Sequence, residues 1–318
     1  MKKFRTFMGC LLVLLTMLCF SGCGGGGSAS NTVFYLNHKD GDSFTDLIKK
    51  SFEEKAKAGG MQVEFRDAKG DVNMQMDQMK EAIAAKPAAI VLLAVDGTAI
   101  VPMVEKANEA GIPIIITNRS LNGGKFLSCM PNEKQAGVMQ GEYMAKTLPP
   151  NAKVVYLEGE KGFAGSEARW AGFKEACLDK RSDIQLLAST VGNWSTADAL
   201  KNVTLWTKLF PQIDAVIAAN DGMAIGAVQA LKDAGRLEGC KVSGVDAVDA
   251  ALKLIAAGEM SQTVKQDAGA LADGTYKLAD SCVKGTVPTE KITVDFTSIT
   301  KENIDKFRKS GGYLPWRI

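Results

Sequence analysis

Polar and aromatic side chains stand directly after several short apolar runs of this sequence. Asn220 and Asp221 form the clearest pair, because they follow "VIAA" and precede Gly222 and a helical pattern. Further polar residues and a tryptophan lie at or near the ends of the other apolar runs: Asp40, Asp42, Asp96, Asn118, Arg119, Glu158, Trp194 and Asp246. Side chains that accept, or both donate and accept, hydrogen bonds suit a ligand rich in hydroxyl groups, and an aromatic ring suits the apolar face of a sugar.

Paired carboxylates are also what a glycosidase needs. Asp42 and Asp246 could face each other across a cleft, with one acting as acid and the other as base or nucleophile. Aspartates with amide and aromatic neighbours serve hydroxyl binding equally well, so both alternatives stay open on the residues alone. Turnover of nitrophenyl glycosides, abolished by Asp42→Asn, would identify the enzyme.

The sequence lacks the motifs that several other kinds of functional site require. The glycines of "LEGEKGFAG" are spaced G-x-x-G-x-x-G, which is not a dinucleotide fingerprint, and no G-x-x-x-x-G-K-[ST] phosphate loop occurs. His38 is the only histidine, so histidine-based zinc sites and Ser-His-Asp triads have almost nothing to use. A formal net charge of +2, with dispersed lysines and arginines, gives no electrostatic basis for nucleic-acid binding.

The elements that must position these residues alternate between strand and helix. From Thr32, helical patterns over 44–58, 72–85 and 98–110 separate short β-branched runs. The strand candidates of the first series are "TVFYL", "MQVEF", "AIVLLAV", "IPIIIT" and "FLSCM", and those of the second are "KVVYLEG", "IQLLAST", "AVIAAN" and "CKVSGV". Two such series predict two α/β lobes with parallel sheets, and ligands of such sheets bind beyond the carboxyl ends of the strands.

Several of these residues also have simple structural interpretations. Asp221 precedes a helix and is predicted to cap it, whereas Asn220, which could share that capping role, is predicted to point into the cleft. A surface position for Arg169 and a core position for Phe44 are the default interpretations. Trp194 lies in the polar loop "GNWSTADAL", ahead of a capping signal at Ser195, where a core role explains a large aromatic poorly.

The N-terminal segment is predicted to direct export. Basic residues precede the apolar run "FMGCLLVLLTMLCF" and the small residues before Cys23, which is the order of a signal peptide over 1–22. "FSGC" resembles a bacterial lipobox, so we expect lipidation at Cys23 and a flexible tether over 23–31 that includes "GGGGSAS". Phe20 stands where a lipobox usually has leucine. The alternative is a secreted protein that is cleaved nearby and carries no lipid.

The cysteines of the mature chain do not form a disulfide framework. Cys129, Cys177, Cys240 and Cys282 are widely spaced, with no C-x-x-C motif, and each lies in or beside an apolar segment. The sequence therefore predicts four buried free thiols.

Taken in order, a series of motifs resembles the type I periplasmic sugar-binding proteins, the solute receptors of ABC importers. The motifs are "DGDSF", "IPIIITNR", "GSEARWAGF", "NWSTADA", "VIAANDGMAIGAVQALK", "SGVDAVDAALKLI" and "TVKQDAGAL". The resemblance is greatest to the galactose/glucose and ribose receptors. It implies two Rossmann-like lobes joined by three hinge crossings, near Met130, Val264 and Thr293. The lobes would comprise 32–130 plus 265–293 and 131–264 plus 294–318.

The resemblance also implies a set of ligand-binding residues. Phe44 and Trp194 would cover the two faces of the sugar, and Arg169 would clamp adjacent ring oxygens. The full implied set is Asp42, Phe44, Asn118, Arg169, Trp194, Asn220, Asp246 and Gln266. In the family pattern, Asp221 starts a helix and does not contact the ligand.

Two departures from the galactose receptor affect specificity. Phe163 and Gly165 stand where that receptor has His and Asp, so a pentose, an inositol or a differently oriented hexose becomes as plausible as glucose or galactose. The calcium loop has no counterpart around "LPPNAKVVYL", so no metal is expected.

The resemblance implies a monomeric binding protein without enzymatic activity or cofactors, which delivers its ligand to an ABC permease and its ATPase. A sensor module for a chemoreceptor or histidine kinase would have the same sequence features. A lactose-repressor-type regulator shares the fold, but it would begin with a helix-turn-helix where this chain has a signal and a glycine tether.

Overall fold

The computed structural model describes residues 31–42, 44–289, 291–309 and 312–313. The predicted signal peptide, Cys23 and nearly all of the tether lie outside the described residues. Within this part of the chain, no helix is both long and apolar enough to cross a membrane.

Fourteen strands and nine α-helices are present in the described ranges. The strands are β1 Thr32–Asn37, β2 Gln62–Asp67, β3 Ala89–Leu92, β4 Ile114–Thr117, β5 Leu127–Pro131, β6 Lys153–Glu158, β7 Gln185–Val191, β8 Ala215–Ala218, β9 Lys241–Val245, β10 Gln262–Lys265, β11 Lys291–Val294, β12 Thr297–Thr300, β13 Arg308–Lys309 and β14 Gly312–Tyr313. The helices are α1 Thr45–Ala58, α2 Val72–Ala85, α3 Val101–Glu109, α4 Glu133–Thr147, α5 Ala164–Phe173, α6 Thr196–Leu209, α7 Asp221–Asp233, α8 Asp249–Ala257 and α9 Ala268–Val283. A wider π turn, Lys174–Leu178, continues α5, and a 3-10 turn covers Ile304–Phe307.

The strands form two six-stranded sheets and one short hairpin. The first sheet has the order β11-β5-β4-β3-β1-β2, and the second has the order β12-β10-β9-β8-β6-β7. All pairs in the two large sheets are parallel except β10 with β12. Neighbouring parallel strands must be joined by a crossover connection. In the two large sheets most of these connections contain a helix, which covers one face of the sheet.

Each sheet has an apolar cluster on both faces. Tyr35 of β1 packs on Phe52 of α1 with ring centroids 5.1 Å apart, and Tyr156 of β6 packs on Phe173 of α5 at 5.4 Å. The central strands β3, β4 and β8 are buried along their whole length, which explains their uninterrupted apolar runs. All four predicted thiols are free and buried, and the α/β prediction for the two lobes is confirmed.

The chain passes between the two sheets at three places: after β5, after β10 and between β11 and β12. Met130, Val264 and Thr293, the predicted crossings, are the penultimate residues of β5, β10 and β11. On this topology we propose the lobe boundaries given above, with α4 and α5 in the second lobe because they pack on each other beside β6.

Candidate functional site

A cleft of about 680 Å³ lies where the carboxyl ends of the two sheets face each other. Its walls combine carboxylates, amides, cations and aromatic rings. All eight residues of the implied ligand-binding set line this one cleft: Asp42, Phe44, Asn118, Arg169, Trp194, Asn220, Asp246 and Gln266. The fold therefore brings the whole set together, while the ligand contact of each residue remains a prediction.

The wall from the first lobe is built by the loops after β1 and β4. Asp42 accepts hydrogen bonds at Oδ1 from the N–H groups of Phe44 and Thr45, at 3.0 and 2.9 Å. These bonds form a turn directly before α1 and hold the carboxylate beside Phe44, whose side chain is buried. Asn118 has φ +61°, a left-handed conformation that Asn tolerates, and its amide lines the cleft directly after β4.

Trp194 forms the aromatic wall of the second lobe. Asn193 and Trp194 both have positive φ, which turns the chain sharply between β7 and α6. Ser195 then caps α6, as predicted, by accepting from the N–H of Asp198 at 3.2 Å. The indole packs edge to face on the Phe163 ring, with the ring centroids 5.7 Å apart. Two aromatic rings therefore form this wall, whereas the sequence predicted only Trp194.

Arg169 lies at the bottom of the cleft and is 4% exposed. Its guanidinium donates to Glu133 Oε2 at 2.5 Å, to the Ala219 carbonyl at 2.5 Å and to Gln266 Oε1 at 3.2 Å. Since arginine carries five N–H donors, two remain for a ligand after these three bonds. The default surface interpretation for Arg169 is therefore wrong, and its role as a clamp for the ligand stays a prediction.

The position of Arg169 depends on how closely α4 and α5 approach. A Cβ on Gly137 of α4 would lie 1.9 Å from the carbonyl oxygen of Arg169, so only glycine permits this contact. The close approach brings the first residue of α4, Glu133, next to the Arg169 side chain. Trp194 and Phe296 then flank the guanidinium at 5.6 and 5.8 Å.

The structure reverses one prediction about the Asn220–Asp221 pair. Asn220 is the cap of α7, since its Oδ1 accepts from the N–H of Met223 at 2.9 Å. Asp221 is the first helical residue and is fully buried; it accepts from Thr263 Oγ1 at 2.7 Å and from the Val248 N–H at 2.9 Å. Asp221 therefore ties α7 to β10 and to the loop before α8, while Asn220 both caps the helix and lines the cleft.

Asp246 is a buried carboxyl with an unusual backbone. It is 5% exposed, has φ +116° and follows β9. No hydrogen bond from the described residues reaches its carboxylate. Burial raises the pKa of Asp246 well above its usual range, although the nearby Arg169 opposes the shift. Burial likewise raises the pKa of Asp221 to about 7.

Two residues at the crossings leave polar atoms unsatisfied. Gln266 is 1% exposed. Its Oε1 accepts a hydrogen bond from Arg169, but its Nε2 has no partner among the described residues. Glu133 has one oxygen on Arg169, and its Oε1 has no partner in the described chain. Buried polar atoms without partners are costly, so both atoms are candidates for ligand contact.

Sequence reasoning missed Glu133 and left Arg119 out of the ligand-binding set. Glu133 stands two residues after β5, so the strand-end criterion could have found it. Arg119 was among the polar residues found at strand ends in the sequence. It donates to the Ala94 and Val95 carbonyls and, at 3.2 Å, to Glu160 of the other lobe. The guanidinium of Arg119 also covers the Phe163 ring at 4.8 Å, so this arginine joins the two rims of the cleft.

Among the described residues, no three His, Cys, Asp or Glu side chains are grouped as a metal site. The chemistry that the cleft offers is hydrogen bonding through fixed donors and acceptors, together with apolar contact on Phe44, Phe163 and Trp194. These properties suit a small, rigid ligand with hydroxyl groups around an apolar ring.

Comparison with known proteins shows the family to which the chain belongs. Residues 33–286 match the family described as periplasmic binding protein domain. The chain is 33% identical to a putative rhizopine-binding protein of Rhizobium meliloti over 275 residues, which cover 84% of this chain and 89% of that protein. It is 31% identical to a xylitol-binding protein of Mycolicibacterium smegmatis over 294 residues, 91% of this chain and 83% of that protein.

A solved structure shows the same fold. The ABC transporter solute binding protein from Bacillus halodurans, with bound myo-inositol, superimposes with a TM-score of 0.82 at 28% identity and covers 89% of this chain and 98% of that one. The resemblance inferred from the motifs and the predicted fold class are thus confirmed. The chain belongs to the periplasmic binding protein family, whose members are substrate-binding proteins and not enzymes.

Proposed function

We propose that this protein is an exported solute receptor that binds a monosaccharide or cyclic polyol between its lobes and delivers it to an ABC permease and its ATPase. One observation carries the proposal. Aromatic rings from opposite lobes, Phe44 and Trp194, line the same cleft as the fixed donors and acceptors of Arg169, Asn118 and Asp246. A hydroxylated ring needs this combination of apolar faces and a polar circumference.

The relatives support the class of ligand without fixing its identity. One is named for xylitol and a solved neighbour holds myo-inositol, so linear and cyclic polyols both occur among similar proteins. Phe163 and Gly165 stand where, on the resemblance, the galactose receptor has polar residues. A pentose, an inositol or a differently oriented hexose therefore fits the proposal as well as glucose or galactose does.

Calorimetry against a panel of sugars and inositols tests the proposal directly. Trp194→Ala should reduce the affinity severely and leave the fold intact, because the ring borders the open cleft. Trp170→Phe is the matched control, since Trp170 packs on Tyr156 at 4.7 Å, away from the cleft. A protein that binds no polyol, or a Trp194→Ala variant that binds normally, would contradict the proposal.

Attachment to the cell envelope is a separate part of the proposal. Membership of a periplasmic family supports export, and "FSGC" supports lipidation at Cys23, with the protein acting as a monomer on a flexible tether. Copurification of the intact lipoprotein with a permease would identify a transporter partner, whereas copurification with a receptor or kinase would favour the sensor alternative.

A further inference from the structure

Carboxyl groups outnumber cations at the bottom of the cleft. Glu133 and Asp246 line the cleft and Asp221 is buried behind it; all three are close enough to the guanidinium of Arg169 to interact with its charge, and Glu133 is hydrogen-bonded to it. Arg169, Asp221 and Asp246 are at most 5% exposed, and the Glu133 side chain is 10% exposed. Fully ionised, this buried group would carry a net charge of −2.

The other ionisable residues of the cleft do not balance this charge. Arg119 is at the rim, where it is already paired with Glu160, and Lys39 is exposed to solvent. Burial and the neighbouring Arg119 lower the pKa of His38 to about 4, so the imidazole is neutral at pH 7. Asp42 adds a further carboxylate from the opposite wall.

The carboxylates also have unused acceptor positions. Glu133 Oε1 is buried without a partner in the described chain, and no hydrogen bond from the described residues is among the influences on the Asp246 carboxyl. Space for Glu133 is created by Gly165, since a Cβ there would lie 3.2 Å from Glu133 Oε1. A hydroxyl could donate a hydrogen bond to these oxygens, but the group could then avoid its excess negative charge only by keeping carboxyls protonated, as the raised pKa values of Asp221 and Asp246 indicate for the empty cleft.

A positively charged ligand group satisfies both requirements. An ammonium supplies three donors and one positive charge, and the charge-assisted bonds that it forms to carboxylates are stronger than those of a hydroxyl. We propose, on the basis of the function proposed above, that the cleft prefers an amino-substituted cyclic polyol, with its ammonium bound by Glu133 and Asp246. The remaining hydroxyls would be held by Arg169 and the amide side chains of the cleft.

The experiment is calorimetry on the mature protein with matched ligands. The ligands are an inositol and a series of its derivatives in which one ring hydroxyl at a time is replaced by an amine. At least one amine should bind about 10- to 100-fold more tightly than the parent, since a charged partner strengthens a buried hydrogen bond by that order. Equal or weaker binding of every amine, with the parent still bound, would overturn the amine preference alone.

Variants identify the carboxylate responsible. Glu133→Gln keeps the size of the side chain and should remove the preference for the amine, while Glu160→Gln, which changes an exposed acid at the rim, should retain it. A Glu133→Gln variant with the wild-type preference would overturn the assignment. Binding of no member of the series, and of no sugar, would instead contradict the proposed function.

A measurement on the unaltered protein guards against misfolding of the variant. N-acetylation of the bound amine removes its charge, so acetylation should abolish the gain in affinity over the parent polyol. Affinity for the free amine should also fall as pH rises through the pKa of that amine. An affinity that stays constant over this range would overturn the proposal, because the neutral amine would then bind equally well.

Discussion

Gly159→Ala should weaken ligand binding through Trp194, although residue 159 does not line the cleft. Gly159 follows β6, and a Cβ at this position would lie 2.1 Å from both Cη2 and Cζ2 of the Trp194 indole. Carbon atoms in contact are normally about 3.5–4.0 Å apart, so the ring would have to move by about 1.5 Å. The indole borders the open cleft, so it would be displaced into the space proposed for the ligand.

The magnitude follows from the cost of overpacking. An added methyl group in a tightly packed site costs about 1–3 kcal/mol when the neighbours cannot adjust. In the empty protein Trp194 can rotate into the cleft, so the free energy of unfolding should change little. In the complex the ring must return to its place, so the dissociation constant should rise about 5- to 150-fold.

Calorimetry and thermal unfolding of Gly159→Ala, Trp194→Ala and the double variant test this reasoning. The two changes should not be additive, because without the indole the new methyl group has nothing to displace. Normal binding by Gly159→Ala would refute the proposed role of Trp194. A further loss on adding Gly159→Ala to Trp194→Ala would show that the effect passes through the backbone, for example through the bond from the Gly159 N–H to Ser166 Oγ at 2.8 Å.

Three further outcomes are expected. The pKa of Asp221 is about 7 in the folded protein, against 3.8 for an ordinary carboxyl, so the folded state holds this proton more tightly than the unfolded state. The contribution of Asp221 to the free energy of unfolding is therefore complete below pH 3.8. It is lost as the pH rises to 7, by up to about 4 kcal/mol. Chemical unfolding at pH 5 and 8 should therefore show Asp221→Asn gaining stability relative to the wild type at the higher pH, and a difference that is independent of pH would contradict this. Glu160→Gln removes an exposed interlobe ion pair with Arg119, so the affinity should fall no more than about 5-fold, and the difference should vanish in high salt; a larger or salt-independent loss would assign Glu160 a direct ligand contact. Cys23→Ala should release the protein from the membrane fraction on cell fractionation, and continued membrane association would contradict lipidation at that residue.

Much of the fold could be predicted from local patterns. The helix over 72–85 was predicted with the bounds observed for α2. Both of its ends are set locally, since the Asp71 side chain caps the start and Lys86 ends the helix in a left-handed conformation. The prediction over 98–110 was three residues too long at its start, since Asp96 organises a turn by accepting from the Thr98 and Ala99 N–H groups before α3 begins.

The site was less accessible because its contacts join residues far apart in sequence. Glu133 and Arg169 are separated by 36 positions and meet only because Gly137 lets two helices touch. The capping of α7 by Asn220 in place of Asp221 has a similar cause. Both are good capping residues, and the choice between them depends on Thr263, which is 42 positions away from Asp221.

By itself the sequence determined the alternation of strands and helices, the two lobes, the buried thiols and the edge of the sheets at which polar residues collect. These features depend on hydrophobic period and on the direction of parallel strands, which short segments encode. The tertiary structure decided which polar residues are buried and which charges are paired. Which carboxyls lie near the Arg169 guanidinium is a matter of three-dimensional distance and solvent exclusion, and no local pattern encodes either.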